Sequence, residues 1–356
     1  MEENTKRMEG SLLVAYDPAL LEPSDPLRVY TFQEIASVLP GMISLTTLEN
    51  QREAYVAYSS GKGTVSPVQT LGQLPAGPLQ GGPGCQVCVK TGYINEDAIF
   101  VSKIAGGGAK GYGNTGCVVV SSQKSLRPLY VLQDNALLTE IRTAAAACLV
   151  TRYFLPQEVS YIGIVGASVQ AFWQLRFLTL VTHCRNVLVM SRSRQTAETF
   201  VQKMKSNPFD AQWNIEIANS ADDFRRCQII HTLTTSREPV LYAKNLDLTK
   251  PVHISAVGAD SPGKRELGDC VLGAAGCIAV DSLVQSLERG EGQYCDEEQR
   301  KSLVEVGSLL VTSASSSFDR SSLQEGKTLT IFDTSGIALQ DVCIAKVAIA
   351  ALEAKP

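Results

Sequence analysis

Two stretches carry residues suited to chemistry on a small charged molecule. The hexapeptide Gly166-Ala167-Ser168-Val169-Gln170-Ala171 follows a short apolar run at 161–165. It opens a segment with helical periodicity at Val169, Phe172, Trp173, Leu175, Leu178 and Val181. A glycine turn between a strand and a helix places backbone N–H groups and the positive helix end where a pyrophosphate can sit. The full pattern is G-x-G-x-x-G/A. Gly166 and Ala171 fit its first and third positions; Ser168 stands at the second, bringing a hydroxyl and some crowding. The next apolar run, 187–190, ends in Ser191-Arg192-Ser193-Arg194. No acidic residue stands there to hold a ribose 2′-hydroxyl. Two guanidiniums and two hydroxyls suit a dianionic 2′-phosphate, because each guanidinium offers a planar fork of donors. NADP(H) is thus the favoured cofactor, NAD(H) the alternative, and a solvated loop the reading without function.

Further candidates fall at the ends of later apolar runs. Thr232 and Thr234 follow one, and Val257, Gly258 and Asp260 follow another. At the carboxyl ends of parallel strands, such residues face the ligand crevice. A carboxylate there can accept or donate a proton. Asp260 could instead cap a helix starting near Pro262. Arg142 lies near the start of a long helical stretch, 138–154, opened by Thr139 and Glu140, whose alanine run permits close packing. It suits a carboxylate partner, or else an ordinary salt bridge.

The elements that must position these residues read as follows. From 159 onward, strands at 161–165, 187–190, 213–217, 228–232, 252–257 and 277–280 alternate with helices such as 195–206 and 282–290. That is a doubly wound parallel sheet, an α/β architecture of the dinucleotide-binding kind. Before it come helices at 31–39 and 44–60, then strands at 86–93, 98–104, 117–122 and 129–133 related as hairpins. A strand at 329–332 and a helix at 338–352 close the chain, the helix returning to the first unit. The expected organisation is a loosely attached lead at 1–28, an α+β substrate-binding and dimerisation domain from 29–156 plus 335–356, and a Rossmann domain at 157–334. The glycine- and proline-rich stretch 62–84 reads as loop with edge strand. The stretch 106–116 carries six glycines and reads as a mobile loop beside a ligand.

With 356 residues, two domains are the prior. A net charge of −4 and ordinary composition call for neither nucleic acid nor a membrane surface, and no apolar run has the length of a membrane span. The polar start, MEENTKRMEG, lacks the apolar core of a signal peptide. Ten cysteines, several inside apolar runs, suit buried thiols in a reducing compartment, hence the cytoplasm. Cys85-Gln-Val-Cys88 has redox or zinc spacing. With no second such pair and only His183, His231 and His253 in the chain, it reads as structural, and no metal is expected.

Several stretches taken together resemble the ornithine cyclodeaminase and mu-crystallin family. They are YIGIVGASVQA, SRSR, HTLTTSREPVL, HISAVGADSPGKREL and TSGIALQDVCIAK, with FVSKIAGG and LLTEIRTAAAA upstream, over roughly residues 30–352. The resemblance implies a Rossmann domain joined to a substrate domain, a homodimer, and an NAD(P)(H)-dependent enzyme of amino-acid metabolism. The implied chemistry is at the Cα–N bond of an L-amino acid or its imine, in the manner of a cyclodeaminase. A cyclic ketimine reductase or amino-acid dehydrogenase is the alternative, and a non-catalytic NADPH- and ligand-binding protein the second. Carried over by position, Lys103 matches a lysine near the substrate, Arg142 an arginine that pairs with the substrate carboxylate, and Asp260 an acid/base aspartate. Mu-crystallin differs at that last position. Gln69 stands where many relatives have a carboxylate-binding arginine. Lys90 is a substitute for that arginine, or else a surface lysine. Substrate selectivity is expected in the loops near 63–84 and 106–116.

Overall fold

The architecture comes from a computed structural model that describes residues 26–72, 79–80, 85–108, 113–311 and 317–355. Alternation of apolar and small or polar residues in the first part of the chain yields one sheet. Its strands are β1 (Arg28–Tyr30), β2 (Gly63–Val65), β3 (Gln69–Leu71), β4 (Gln86–Ile94), β5 (Ile99–Gly107), β6 (Thr115–Ser122) and β7 (Pro128–Leu132). The order is β1-β7-β6-β5-β4-β2, with β3 also pairing β4. All neighbours are antiparallel except β1 and β7, which run parallel. Arg28 therefore belongs to a strand, opposite Tyr130, rather than to a loose lead. The rest of that expected lead, residues 1–25, lies outside the described residues, as do 73–78, 81–84 and 109–112 of the two glycine-rich stretches.

The second sheet is wholly parallel, in the order β10-β9-β8-β11-β12-β15-β13-β14. Its strands are β8 (Ile162–Val165), β9 (Asn186–Met190), β10 (Asn214–Ile217), β11 (Ile229–Thr232), β12 (Val252–Ala256), β13 (Ala275–Val280), β14 (Leu303–Glu305) and β15 (Leu329–Asp333). Every residue of β8, β11, β12 and β15 is buried, as expected of strands covered on both faces. This is the Rossmann-type sheet, joined to a smaller α+β unit. The edge strand β14 was not expected: three residues behind a polar helical turn give too little periodicity to read.

Helices connect the layers: α1 (Phe32–Ser37), α2 (Leu45–Ser59), α3 (Leu137–Tyr153), α4 (Val169–Leu178), α5 (Arg194–Ser206), α6 (Leu283–Arg289) and α7 (Ala338–Glu353). Thr31 and Glu34 form a capping box on α1. The long helix α3 is entered through Asn135 and Ala136 in left-handed conformation, and the Asp134 carboxylate accepts the Leu138 N–H at 2.9 Å. That cap, rather than Thr139 and Glu140, opens the helix. Its buried run Ala144–Ala147 lets α2, α4 and α7 approach. The last helix, α7, packs against α2, α3, β4 and β5, so the end of the chain covers the inner face of the first sheet.

At the carboxyl edge of the second sheet a buried acid ties strand ends together. Glu266 accepts the Thr232 hydroxyl at 2.7 Å, the Thr234 N–H at 2.6 Å and the Gly258 N–H at 2.8 Å. Replacing it by alanine leaves one buried and two half-buried donors unpaired, the buried one a loss of about 1–3 kcal/mol. Glu266→Ala should lower the urea midpoint markedly without changing the m-value. An unchanged midpoint would show that these strand ends are held by something else.

Candidate active site

The site forms where the inner face of the first sheet meets the carboxyl edge of the second. Strand register decides which side chains reach it. Lys90 of β4 stands directly opposite Lys103 of β5, so both point to the same face, beneath α7. Both are buried, at 6% and 3% exposure. Gln69 pairs with Val89 and so shares the opposite face; its side chain is exposed and does not line the cavity. The expected contact from Gln69 is therefore not made. Lys90 is not a surface lysine.

Arg142 of α3 and Asp341 of α7 complete this wall. Both Asp341 carboxylate oxygens lie 3.0 Å from the Lys103 ammonium, and Oδ1 lies 3.2 Å from Arg142 Nε. Arg142 Nη1 also donates to Gln340 Oε1 at 3.3 Å. Gln340 is fixed in turn by the Ile337 N–H and the Tyr55 hydroxyl. Gly336 has φ 81°, and a Cβ there would collide with the Arg142 guanidinium, so only glycine fits. Lys90 donates to the carbonyls of Ser335 at 2.9 Å and Gly336 at 2.5 Å.

These cations shift one another. Burial lowers the pKa of Lys103, with Asp341 partly opposing. Burial pushes Lys90 down to about 7, helped by the positive charges of Lys103 and Arg142. Asp341 is raised by burial, but Lys103, Arg142 and Lys90 outweigh this and hold it below the usual carboxylate range.

Asp260 faces these groups from the loop after β12. It caps no helix. Its Oδ1 lies 2.6 Å from Lys264 Nζ and accepts the Ser261 hydroxyl at 3.2 Å. Burial raises its pKa, but the Lys264 charge and hydrogen bond prevail, so the group is an ionised carboxylate at neutral pH. One cavity of about 250 Å³ is lined by Lys90, Lys103, Arg142 and Asp260, and by Val169, Gln170 and Val257 of the second unit.

On the dinucleotide side, Gly166 has φ 111°, and a Cβ there would stand 2.9 Å from the Leu233 carbonyl oxygen. Ser168 is the N-cap of α4 but makes no side-chain cap; the Ala171 N–H donates to the Ser168 carbonyl, which leaves the Val169 and Gln170 N–H groups to a ligand. A second cavity, of about 470 Å³, lies between Ala167, Ser168 and Val169 and the start of α5, with Lys203 in its wall. Ser191 is half-buried, whereas Arg192 and Arg194 are exposed. Arg194 pairs with Glu198 at 3.2 Å. Ser193 caps α5 by accepting the Thr196 N–H, so its hydroxyl is partly committed. Thr232 is fully buried with its hydroxyl on Glu266, and the Gly258 N–H is on the same acid. Thr232 therefore supports the site rather than touching a cofactor; Thr234 is only half-buried.

The family model for the ornithine cyclodeaminase/mu-crystallin family matches residues 101–355. The chain belongs to this family. Alanine dehydrogenase from Archaeoglobus fulgidus is 28% identical over 327 residues, 90% of this chain and 93% of that one. Among solved structures, an archaeal alanine dehydrogenase dimer with bound NAD superposes with a TM-score of 0.75 at 24% identity, over 93% of this chain and 97% of that chain. The iminosuccinate reductase of Paracoccus denitrificans in complex with NAD+ gives 0.76 at 21% identity, over 92% and 97%. No described helix of this family member is long and apolar enough to cross a membrane.

Three residues of the site had no role in the sequence reading, Asp341, Lys264 and Glu266, and a fourth, Glu140, was read only as opening its helix. Glu140 lines the cavity and accepts from Trp173 at 3.0 Å and Asn114 at 3.1 Å. Each acts through a partner distant in sequence or in a loop, where no periodicity marks it.

The Lys90 shift has a measurable consequence. Its ammonium is present below about pH 7 and is lost as pH rises through that value. Binding of a carboxylate ligand, followed by calorimetry, should weaken as pH rises from 6 to 8. Lys90→Met should flatten that dependence. An unchanged slope in the variant would place the titration elsewhere.

Proposed function

We propose that the chain is an NAD(P)(H)-dependent enzyme of amino-acid metabolism acting at the Cα–N bond of an L-amino acid or its imine. The observation that carries this is the meeting, in one cavity, of a fixed cationic wall, an ionised aspartate and the start of the helix behind the Gly166 turn. The left-handed Gly166 and the uncapped first turn of α4 fit a pyrophosphate, held by Gly166 to Gln170. A nicotinamide cofactor held there would supply or accept the hydride at Cα.

The chain's own residues do the rest. Arg142 and Lys103, with Lys90, hold the α-carboxylate and so orient Cα. In the oxidative direction, Asp260 Oδ takes a proton from the amino group as the C=N bond forms, and Lys264 keeps that carboxylate ionised beforehand. In the reductive direction Asp260 returns a proton to nitrogen. In a cyclodeaminase-like cycle, a side-chain amine adds to the iminium carbon, ammonia leaves, and the ring imine is reduced. Val257 and Thr234 frame the nicotinamide end. Arg192, Arg194 and Ser191 hold the 2′-phosphate of NADP(H), although the solved relatives hold NAD.

The half-exposed outer face of the first sheet, with Val87, Val89 and Phe100, and with Ile104 at 43% exposure, forms a homodimer interface in this reading. The archaeal relative is a dimer. All ten cysteines are free, which fits a cytoplasmic setting.

The test is a panel of ornithine, alanine, lysine and cyclic ketimines, each with NAD(H) and NADP(H), followed at the nicotinamide absorbance. Tight cofactor binding without turnover on any substrate would overturn the enzyme in favour of a binding protein.

Asp260→Asn keeps the size of the group but cannot take the proton. Turnover should fall by about 10²–10⁴-fold, with cofactor affinity within twofold of wild type. Unchanged turnover would remove Asp260 from the chemistry.

Replacing Arg192 and Arg194 by alanine removes charge-assisted bonds of about 1.5–3 kcal/mol each. Fluorescence titration should show NADPH affinity dropping far more than NADH affinity. Equal losses, or a wild-type preference for NADH, would transfer the assignment to NAD(H).

A further inference from the structure

The cavity holds one more cation, and the chemistry above does not use it. Arg289, the last residue of α6, lines the same cavity as Lys90, Arg142 and Asp260. It is only 8% exposed. Its Nε is buried with no hydrogen-bond partner, and among the described residues its guanidinium makes no hydrogen bond or ion pair. Among the described residues no acid pairs with it, although the buried Asp281 Oδ1 also lacks a hydrogen-bond partner. Asp333 accepts from Ser286 Oγ and from the N–H groups of Glu291 and Gly292. Asp281 Oδ2 accepts from Thr334 and Gly336. Asp341 is taken by Lys103 and Arg142, and Asp260 by Lys264. A buried guanidinium without a counter-charge is costly, and an anion entering the cavity removes that cost.

The cofactor phosphates are not that anion. The Gly166 turn leaves β8, and α6 follows β13, four places along the sheet. The reading above gives the cofactor phosphates to that turn and to the Ser191–Arg194 loop, on the β8–β9 side of the sheet. Nor is it the α-carboxylate, which the reading above assigns to Arg142 and Lys103 on the first sheet's wall. Arg289 comes from the opposite unit. A cavity of about 250 Å³ is of amino-acid size, below the roughly 300–1,000 Å³ of drug-sized sites.

We infer that Arg289 receives a second carboxylate, on the side chain of the substrate. The substrate class is a short amino-dicarboxylate or the corresponding imino-dicarboxylate. The inference rests on the proposed Cα–N chemistry and narrows it. A basic side chain, as in ornithine, would set its ammonium against Arg289. An acidic side chain has no amine with which to close a ring, so the net reaction is dehydrogenation or imine reduction rather than cyclodeamination.

The test uses the full chain saturated with NADP+ or NAD+, titrated calorimetrically with L-aspartate, L-glutamate, L-alanine and L-ornithine. In the wild type, aspartate or glutamate should bind at least tenfold more tightly than alanine or ornithine. Arg289→Met should cut this acidic-over-neutral ratio by about 10–100-fold, and Arg289→Lys should retain part of it. The wild-type ranking decides the matter even if a variant fails to fold. Alanine or ornithine binding as tightly as the acids, or a ratio untouched in Arg289→Met, overturns the inference. Turnover measured in parallel separates the two readings. Arg289-dependent binding of an acid without turnover of any of the four keeps the anion site and removes the Cα–N chemistry. Turnover of alanine or ornithine that is insensitive to Arg289 keeps the chemistry and removes the anion site.

Discussion

A single carboxylate balances the buried wall of the cavity. Asp341 lies within 3.2 Å of both Lys103 and Arg142, which come from a strand and a helix of the first unit. Taking either cation out of water alone would cost several kcal/mol, and the shared anion offsets that cost for both. The arrangement leaves Lys90 with only backbone carbonyls as partners. Burial, with the charges of Lys103 and Arg142 beside it, is what pushes Lys90 down to about 7. The geometry of the wall follows from how one acid is divided.

A second set of acids does comparable work on the Rossmann side. Glu266 joins the ends of β11 and β12. Its own N–H is held by Glu291, whose N–H is in turn held by Asp333 at the end of β15. Burial raises all three, and Asp333 reaches about 7. The loop that carries Val257 and Asp260 grows from the tied end of β12, and Arg289 ends α6 just before the Glu291 N–H that Asp333 holds. Their positions depend on hydrogen bonds between backbone and buried acid, in addition to apolar packing.

What could be read in advance follows from how local each signal is. The Gly166 turn was legible because a left-handed residue between strand and helix restricts the residue type at that one position. The parallel sheet was legible because strands covered on both faces leave continuous apolar runs. The burial of Lys90 was not legible. Alternation along β4 places it on one face of a sheet, but only the chain 245 residues later shows that this face is covered. Gln69 failed for a related reason: the register against Val89, which no local pattern encodes, turns it away. Asp341 and Arg289 sit in helices whose composition is unremarkable, and their importance lies wholly in what the fold sets beside them.

The sequence separation of the central ion pair also bears on how the chain is made. Lys103 and Asp341 are 238 positions apart. At roughly 5–20 residues per second, a ribosome takes about 12–48 s to cover that distance. Throughout that interval Lys103 and Arg142 exist without their counter-charge, and desolvating them is strongly unfavourable. The first sheet, although synthesised first, must keep its inner face wet until α7 emerges. The first unit, although encoded first, is complete only after β15, the last strand of the parallel sheet, has been made.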